Sequence, residues 1–562
     1  MTRDMDHIRV AGGNDDPAGL VITNARIFDG SDLLDVDTVA LDGGTITSLG
    51  MAGEVLSGSQ RTGTEVVDAG GALLGPGFID AHVHAVFGGL ERLGCDLSDA
   101  VGPDDCLRVI AAFAAGSPTE WISGGGWTMS DFPGGTPRAA DLDRIVGDRG
   151  VYLLNRDHHS AWVNTVALER AGIGVGTPDP AGGRIERDAQ GHPSGTLHEA
   201  AMDLVGNLIP QESPADLRRG LLEGQRYLHS FGITGWQDAI VGTYSGHADP
   251  YDAYRAADAA GELTGEVVGA MWWPRDVQDI GEQVRRFGER RREAATGSRF
   301  RTTAVKFMLD GIIESRTAAM AEPYHSCGCP GAERGVNYFD PEFLAAAIGA
   351  IDAAGLDVHL HAIGDRAVGD GLDALAAARR ANPAGDGRHH IAHLQVIDPH
   401  DIPRFGEWGV TANMQALWAC NDEAMRELTV PVLGPERSSW QYPFRSLLDA
   451  GAPLAMGSDW PVSTPDPWQA IHTAVTRTEA GKPVGSPALI PEQSLGLLDA
   501  LRAYTAGSAR LNRTAAGRIA VGAPADLALA DRDPFAASAN DLATTSTLMT
   551  IAGGHIVHDA RH

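Results

Sequence analysis

The chain has 562 residues and a formal net charge of −30, with 43% hydrophobic and 21% charged residues. That length accommodates several domains or one barrel with additions, and the composition is that of an ordinary globular protein. The acidic balance argues against nucleic acid, whose binders concentrate Lys and Arg to replace phosphate counterions, and against docking on anionic lipid.

Residues 20–29 (LVITNARIFD) and 36–50 (VDTVALDGGTITSLG) read as short alternating strands separated by Gly- and Asp-rich turns. The far end repeats that texture in 517–534 and 548–560. The expectation is a composite β-sandwich built from both termini, 1–74 with 505–562. Between them, short apolar runs alternate with helical stretches such as 341–354 and 373–382, the βαβ pattern. Eight strand candidates (73–84, 232–239, 265–273, 303–310, 355–362, 388–395, 409–415 and 452–459) predict a (β/α)₈ TIM-like barrel over 75–504, an α/β fold. Residues 85–230, with further strand-like runs WISGGGW (121–127) and VYLLNRD (151–157), predict an inserted α/β subdomain after the first barrel strand.

Five cysteines are few and odd in number, which suits a reducing cytoplasm better than a disulfide framework. The start, MTRDMDHIRV, lacks a secretory apolar core, and no run reaches the ~20 apolar residues of a membrane helix. The expectation is a cytoplasmic protein with neither nucleic acid nor membrane as partner. Cys327 and Cys329, in SCGCPG, have no second thiol pair nearby and read as two loop thiols.

His82 and His84 lie in FIDAHVHA. Alternate strand residues share a face, so two imidazoles can meet one metal ion. His361 in DVHLHA, His393 in HHIAHLQ and Asp459 in AMGSD fall near the C-terminal ends of predicted strands, where barrel sites are built. Lys306, in AVKFMLDG, is the odd member. An ammonium would be repelled by a dication, but its neutral amine can add CO₂ and become an anionic carbamate able to bridge two metals.

These segments, GPGFIDAHVH (75–84), VKFMLDG (305–311), HLHAIGDRA (359–367), IAHLQ (391–395) and GSDWPV (457–462), resemble the metal-dependent amidohydrolase superfamily. The resemblance is to its amidohydrolase-3 (YtcJ-like) branch, and further matches extend it from about residue 20 to 558. It implies one or two zinc ions per chain, or another divalent metal. By position, His82 and His84 would bind the more buried ion, and N6-carboxylated Lys306 would bridge. His361 and His393 would bind the second ion, with Asp459 as ligand and proton carrier. His359 shares the face of His361 and reads as a supporting residue.

The implied chemistry is hydrolysis of a small-molecule amide, N-formyl amine or cyclic amide by metal-activated hydroxide, with Asp459 as general base and acid. His159 is a second catalytic candidate, and Arg316, Trp127 and Trp460 are candidate substrate contacts. Trp162, Trp273 and Trp418 could also wall an apolar pocket. Many such barrels pair, which implies a homodimer. The alternatives are a deaminase of a heterocyclic amine and a non-catalytic binding protein on the same fold. Deaminases of the superfamily commonly carry a glutamate where Gly364 stands here, which weakens the first. The intact set of six candidate ligands speaks against the second.

Overall fold

A computed structural model describes residues 19–561 apart from 59–62, 157, 181, 245 and 326–332; Cys327 and Cys329 lie outside the described residues. All eight predicted strands form one parallel sheet in chain order: β1 (Phe78–Val83), β2 (Ile233–Val241), β3 (Glu266–Trp272), β4 (Phe300–Met308), β5 (Asp357–Ala362), β6 (His390–His393), β7 (Thr411–Met414) and β8 (Leu454–Met456). Every residue of β2 and β5 is buried, as in parallel strands covered on both faces. Past the last rungs, the Asp459 N–H donates to His82 O at 2.7 Å and the His84 N–H to Trp460 O at 2.8 Å, which join the end of β8 to β1. The approach leaves no room for a side chain at Gly457, where an added Cβ would sit 2.5 Å from the His82 nitrogen.

Helices alternate with the strands and bury apolar faces against them. Helix Pro341–Ala353 starts where Asp340 accepts the N–H groups of Glu342 and Phe343, with proline in its first turn.

Between β1 and β2 lies a separate six-stranded sheet, whose members fall between Cys95 and Glu199 and include Trp121–Trp127 and Gly150–Asn155. At the ends of the chain are a four-stranded sheet drawn from 20–68 and a five-stranded sheet. The latter combines Arg26–Ile27 and Leu73–Pro76 with Leu527–Ala530, Thr547–Ala552 and His555–Asp559. One apolar cluster, including Ile22, Val39, Leu74, Leu527 and Ile551, draws on both sheets. Among the described residues, no helix is long and apolar enough to cross a membrane.

Candidate metal centre

Six of the predicted site residues, His82, His84, Lys306, His361, His393 and Asp459, line one cavity at the C-terminal mouth of the barrel. Their strands set this by register: Lys306 pairs with His359, Met308 with His361, and Ala362 with His393. Asp459 Oδ1 lies 3.2 Å from His82 Nε2 and 3.0 Å from His84 Nε2, while Asp459 Oδ2 is 3.9 Å from His393 Nδ1. Donors about 2 Å from a tetrahedral zinc stand roughly 3–3.5 Å from one another, so the first two spacings fit ligands of one ion. His82, His393 and Asp459 each offer a ligand atom within 4.8 Å of the others.

Two of these atoms, His393 Nδ1 and Asp459 Oδ1, are buried without a hydrogen-bond partner. Buried polar atoms are rarely left so, and a cation would satisfy both.

Proton bookkeeping agrees at His82. The Gln237 carbonyl oxygen accepts from His359 Nδ1 at 2.6 Å and from His390 Nε2 at 2.9 Å, while the Gln237 amide donates to Asn512 Oδ1 at 3.1 Å. With its proton on Nδ1, neutral His359 presents a bare Nε2, which accepts His82 Nδ1–H at 2.9 Å. His82 Nε2 is then left without a proton, facing Asp459. Such partners behind a ligand fix its tautomer.

Burial, then the nearby Lys306, pushes the His82 imidazole down to about 3. Burial also holds His361 and His393 well below the usual imidazole range, so all three are neutral donors at neutral pH. Burial pushes the Asp459 carboxyl up, but the surrounding imidazoles, His82 first, outweigh it and hold the group well below the usual carboxylate range. Lys306 is 1% exposed, and burial pulls its amine down to about 7 against the opposing charge of Asp459. Its Nζ stands 3.5 Å from His359 Nε2.

His361 stands somewhat apart, its Nε2 3.4 Å from Gly311 O and 3.6 Å from Asp310 Oδ1. Asp310 in turn accepts the N–H groups of Ala319, Ile363 and Gly364 and ties the loop after β4 to the end of β5.

His159, from the inserted sheet region, also lines the cavity, with Nδ1 2.9 Å from Glu199 Oε1. Glu199 accepts the Thr317 hydroxyl at 3.1 Å as well. Trp418 lies flat on His393, with ring centroids 5.3 Å apart.

The other expected substrate contacts are placed elsewhere. Trp127 is 1% exposed in the core of the inserted sheet, packed with Phe132 and Trp162, and its indole donates to Leu153 O. Trp162 and Trp273 are likewise wholly buried in apolar clusters. Trp460 packs on Gly88 and Tyr227 and faces a wider outer groove that meets the cavity at Ile312, Ile363, Trp418 and Val462. Arg316, at φ +60°, is not among the residues lining the cavity. For the tryptophans, nearness to a strand end or an inserted loop does not say which way a side chain turns.

Sequence reasoning also missed Gln237, Asp310 and Glu199. Gln237 is a polar residue within β2 and Asp310 follows the apolar run of β4, and that was their available signal; Glu199 gave none.

A family model described as the Amidohydrolase family (Amidohydro_3) matches residues 65–558. The chain belongs to this amidohydrolase family. It falls in the YtcJ-like branch: YtcJ of Bacillus subtilis (strain 168) is 30% identical over 503 residues, 88% of this chain and 91% of that protein. The protein LONG AFTER FAR-RED 3 of Arabidopsis thaliana is 32% identical over 556 residues, 96% and 92% of the two chains. An N-substituted formamide deformylase of Arthrobacter pascens is 28% identical over 570 residues, 95% and 97%. A crystal structure of an uncharacterized metal-dependent hydrolase from Pyrococcus horikoshii OT3 shares the fold, with a TM-score of 0.71 at 23% identity over 93% of this chain and 99% of that one.

In this amidohydrolase the position of Gly364 is closed to glutamate, because an added Cβ would lie 2.1 Å from Ala319 O. The next residue, Asp365, accepts the Ala321 N–H. A side chain at position 364 would collide with the Ala319 backbone as the loop stands.

Proposed function

We propose that the protein is a metal-dependent hydrolase that cleaves an amide-type C–N bond in a small molecule: an amide, N-formyl amine or cyclic amide. The observation that carries the reading is one cavity in which four imidazoles, a buried amine and an ionised aspartate converge, with His393 Nδ1 and Asp459 Oδ1 unsatisfied. His82, His84 and Asp459 would hold a first zinc or similar ion, and His361 and His393 a second, with Lys306 between them as carbamate. Bound there, the metal supplies Lewis acidity and lowers the pKa of water to about 7.

The chain's own groups do the rest. Asp459 takes the proton lost by the attacking water and delivers it to the departing nitrogen as the C–N bond breaks, giving a carboxylate or formate and an amine. His159, braced by Glu199, faces the same space and can donate to the oxygen on which negative charge develops. The family membership and the formamide deformylase among the relatives support a C–N bond as the target. The closed position of Gly364 speaks against heterocycle deamination.

The two terminal sheets, 1–74 with 505–562, would act as one composite β-sandwich supporting a barrel over 75–504, with 85–230 as an inserted subdomain. A cytoplasmic homodimer completes the proposal.

The test is metal analysis beside an amide and formamide hydrolysis screen. Purified protein should hold one or two zinc-like ions per chain. His82→Ala and Asp459→Asn should each lower kcat/KM by about 10³-fold or more, the scale of losing a principal charge-stabilising or proton-transfer group. Full turnover in metal-free protein would refute the reading.

A further inference from the structure

The wall of the cavity facing the ligand cluster has a chemistry of its own. A small apolar cluster of Phe87, Ile240, Trp272 and Met308 forms there, separate from the main barrel core. Two polar side chains of the loop after β2 meet it: Tyr244, whose hydroxyl lies 3.7 Å from Met308 Sδ, and His247. The His247 ring stacks on Phe87 at 4.7 Å and 27°. Its Nδ1 is held at 2.7 Å by Glu212 Oε1, and the second Glu212 oxygen accepts the Ala248 N–H. Three segments meet to build this arrangement: the helix after β1, the stretch leading into helix Pro214–His229, and the β2 loop. Burial pushes the Glu212 carboxyl up, but its hydrogen bond and charge pairing with His247 prevail and keep it ionised. Nδ1 therefore carries a proton, and Nε2 is the ring nitrogen left to meet a ligand.

Charge bookkeeping narrows what that ligand can be. Among the described residues lining the cavity, Lys306 and Asp459 are the lysine, arginine, aspartate or glutamate side chains, and both belong to the ligand cluster. The three histidines at the rim are each matched to a glutamate: His158 to Glu91 at 2.8 Å, His159 to Glu199 at 2.9 Å and His247 to Glu212 at 2.7 Å. The charged groups around this wall already have partners, Glu212 on His247 and Arg275 stacked over Tyr338 behind Met308, so a charged substituent would be buried without a partner of its own, which is costly. A flat, neutral group suits the stacked Phe87–His247 face.

We propose that His247, held by Glu212 and stacked on Phe87, is a specificity-determining residue that hydrogen-bonds a polar atom on an uncharged, planar substituent of the substrate. The inference rests on the hydrolase reading for the word substrate, but the recognition itself does not require turnover. The probes are N-benzylmethanesulfonamide and its three hydroxybenzyl isomers. None has a carbonyl to cleave, and the isomers offer a phenolic O–H that the bare His247 Nε2 can accept. Binding is measured by calorimetry to the protein as purified, at neutral pH, where the phenol is un-ionised.

At least one hydroxybenzyl isomer should bind wild type roughly five- to ten-fold more tightly than the benzyl compound, the worth of one hydrogen bond. His247→Phe, which keeps the stacked ring, should erase that preference and leave benzyl binding within about two-fold. Glu212→Gln, which leaves the imidazole but loosens it, should narrow the preference, so the test does not hang on one variant. No preference in wild type, or the same preference in His247→Phe, overturns the proposal. A His247-dependent preference in a metal-loaded protein that hydrolyses no amide would leave this recognition standing and remove the hydrolase reading alone.

Discussion

Lys306 illustrates how position decides the chemistry of one side chain. A lysine in an apolar strand run ordinarily snorkels to solvent, but here it is 1% exposed beside His359. Burial pulls its amine down to about 7, so the neutral form, the only one that adds CO₂, grows as pH rises through that value. Activity and metal content of dialysed protein should therefore increase on adding bicarbonate above about pH 7 and respond little near pH 5.5, where the ammonium dominates. An activity that ignores bicarbonate at every pH would leave Lys306 unmodified. The six candidate ligands were legible because their residue types are chemically restrictive. Gln237, inside β2, and Asp310, just past the end of β4, were not, since an amide or carboxylate shows its partners only after folding. Backbone conformation was equally hidden: His393 and Asp459 adopt φ of +75° and +57°, each a cost of order 1–3 kcal/mol for a non-glycine residue. Such a cost is borne only where tertiary contacts enforce it.

The inserted sheet between β1 and β2 is the element that extends the site beyond the barrel. It delivers His159 to the cavity with Glu199 behind it, and Thr317 from the barrel side completes the bracket. Glu199→Gln should lower kcat about 10- to 100-fold with a smaller change in KM, because a loosened His159 acts on developing charge rather than on ground-state binding. An unchanged kcat with raised KM would make the pair a binding device instead. Trp127 belongs to the same element yet works differently. Trp127→Phe should leave kcat/KM within about two-fold while costing roughly 1–3 kcal/mol in denaturant unfolding, from the lost bond to Leu153 O and the lost packing. The strands themselves were readable, because WISGGGW and VYLLN are apolar and bounded by turn residues. Which tryptophan faced the cavity was not, because strand alternation gives two faces and no indication of which one another layer covers.

For the whole molecule, an ion held by β1, β5, β6 and the end of β8 would cross-link both edges of the parallel sheet. Because only the folded chain gathers those ligands, chelation should lower the midpoint of thermal unfolding, with about 4 kcal/mol at stake when metal activity is ~1,000 times Kd. Equal midpoints with and without chelator would place the metal outside the fold's energetics. The amino-acid sequence by itself determined the eight-strand rhythm, the order of the strands and the residue types able to bind metal. Periodicity and ligand chemistry are local properties, carried by a few neighbouring residues. Only the tertiary structure decided which imidazole nitrogen is bare, that Gly364 cannot carry a side chain, that Trp127 is core and that His247 faces the cavity. Each of those depends on groups far apart in the chain, brought within a few ångströms by the closing of β8 onto β1 and the docking of the inserted sheet.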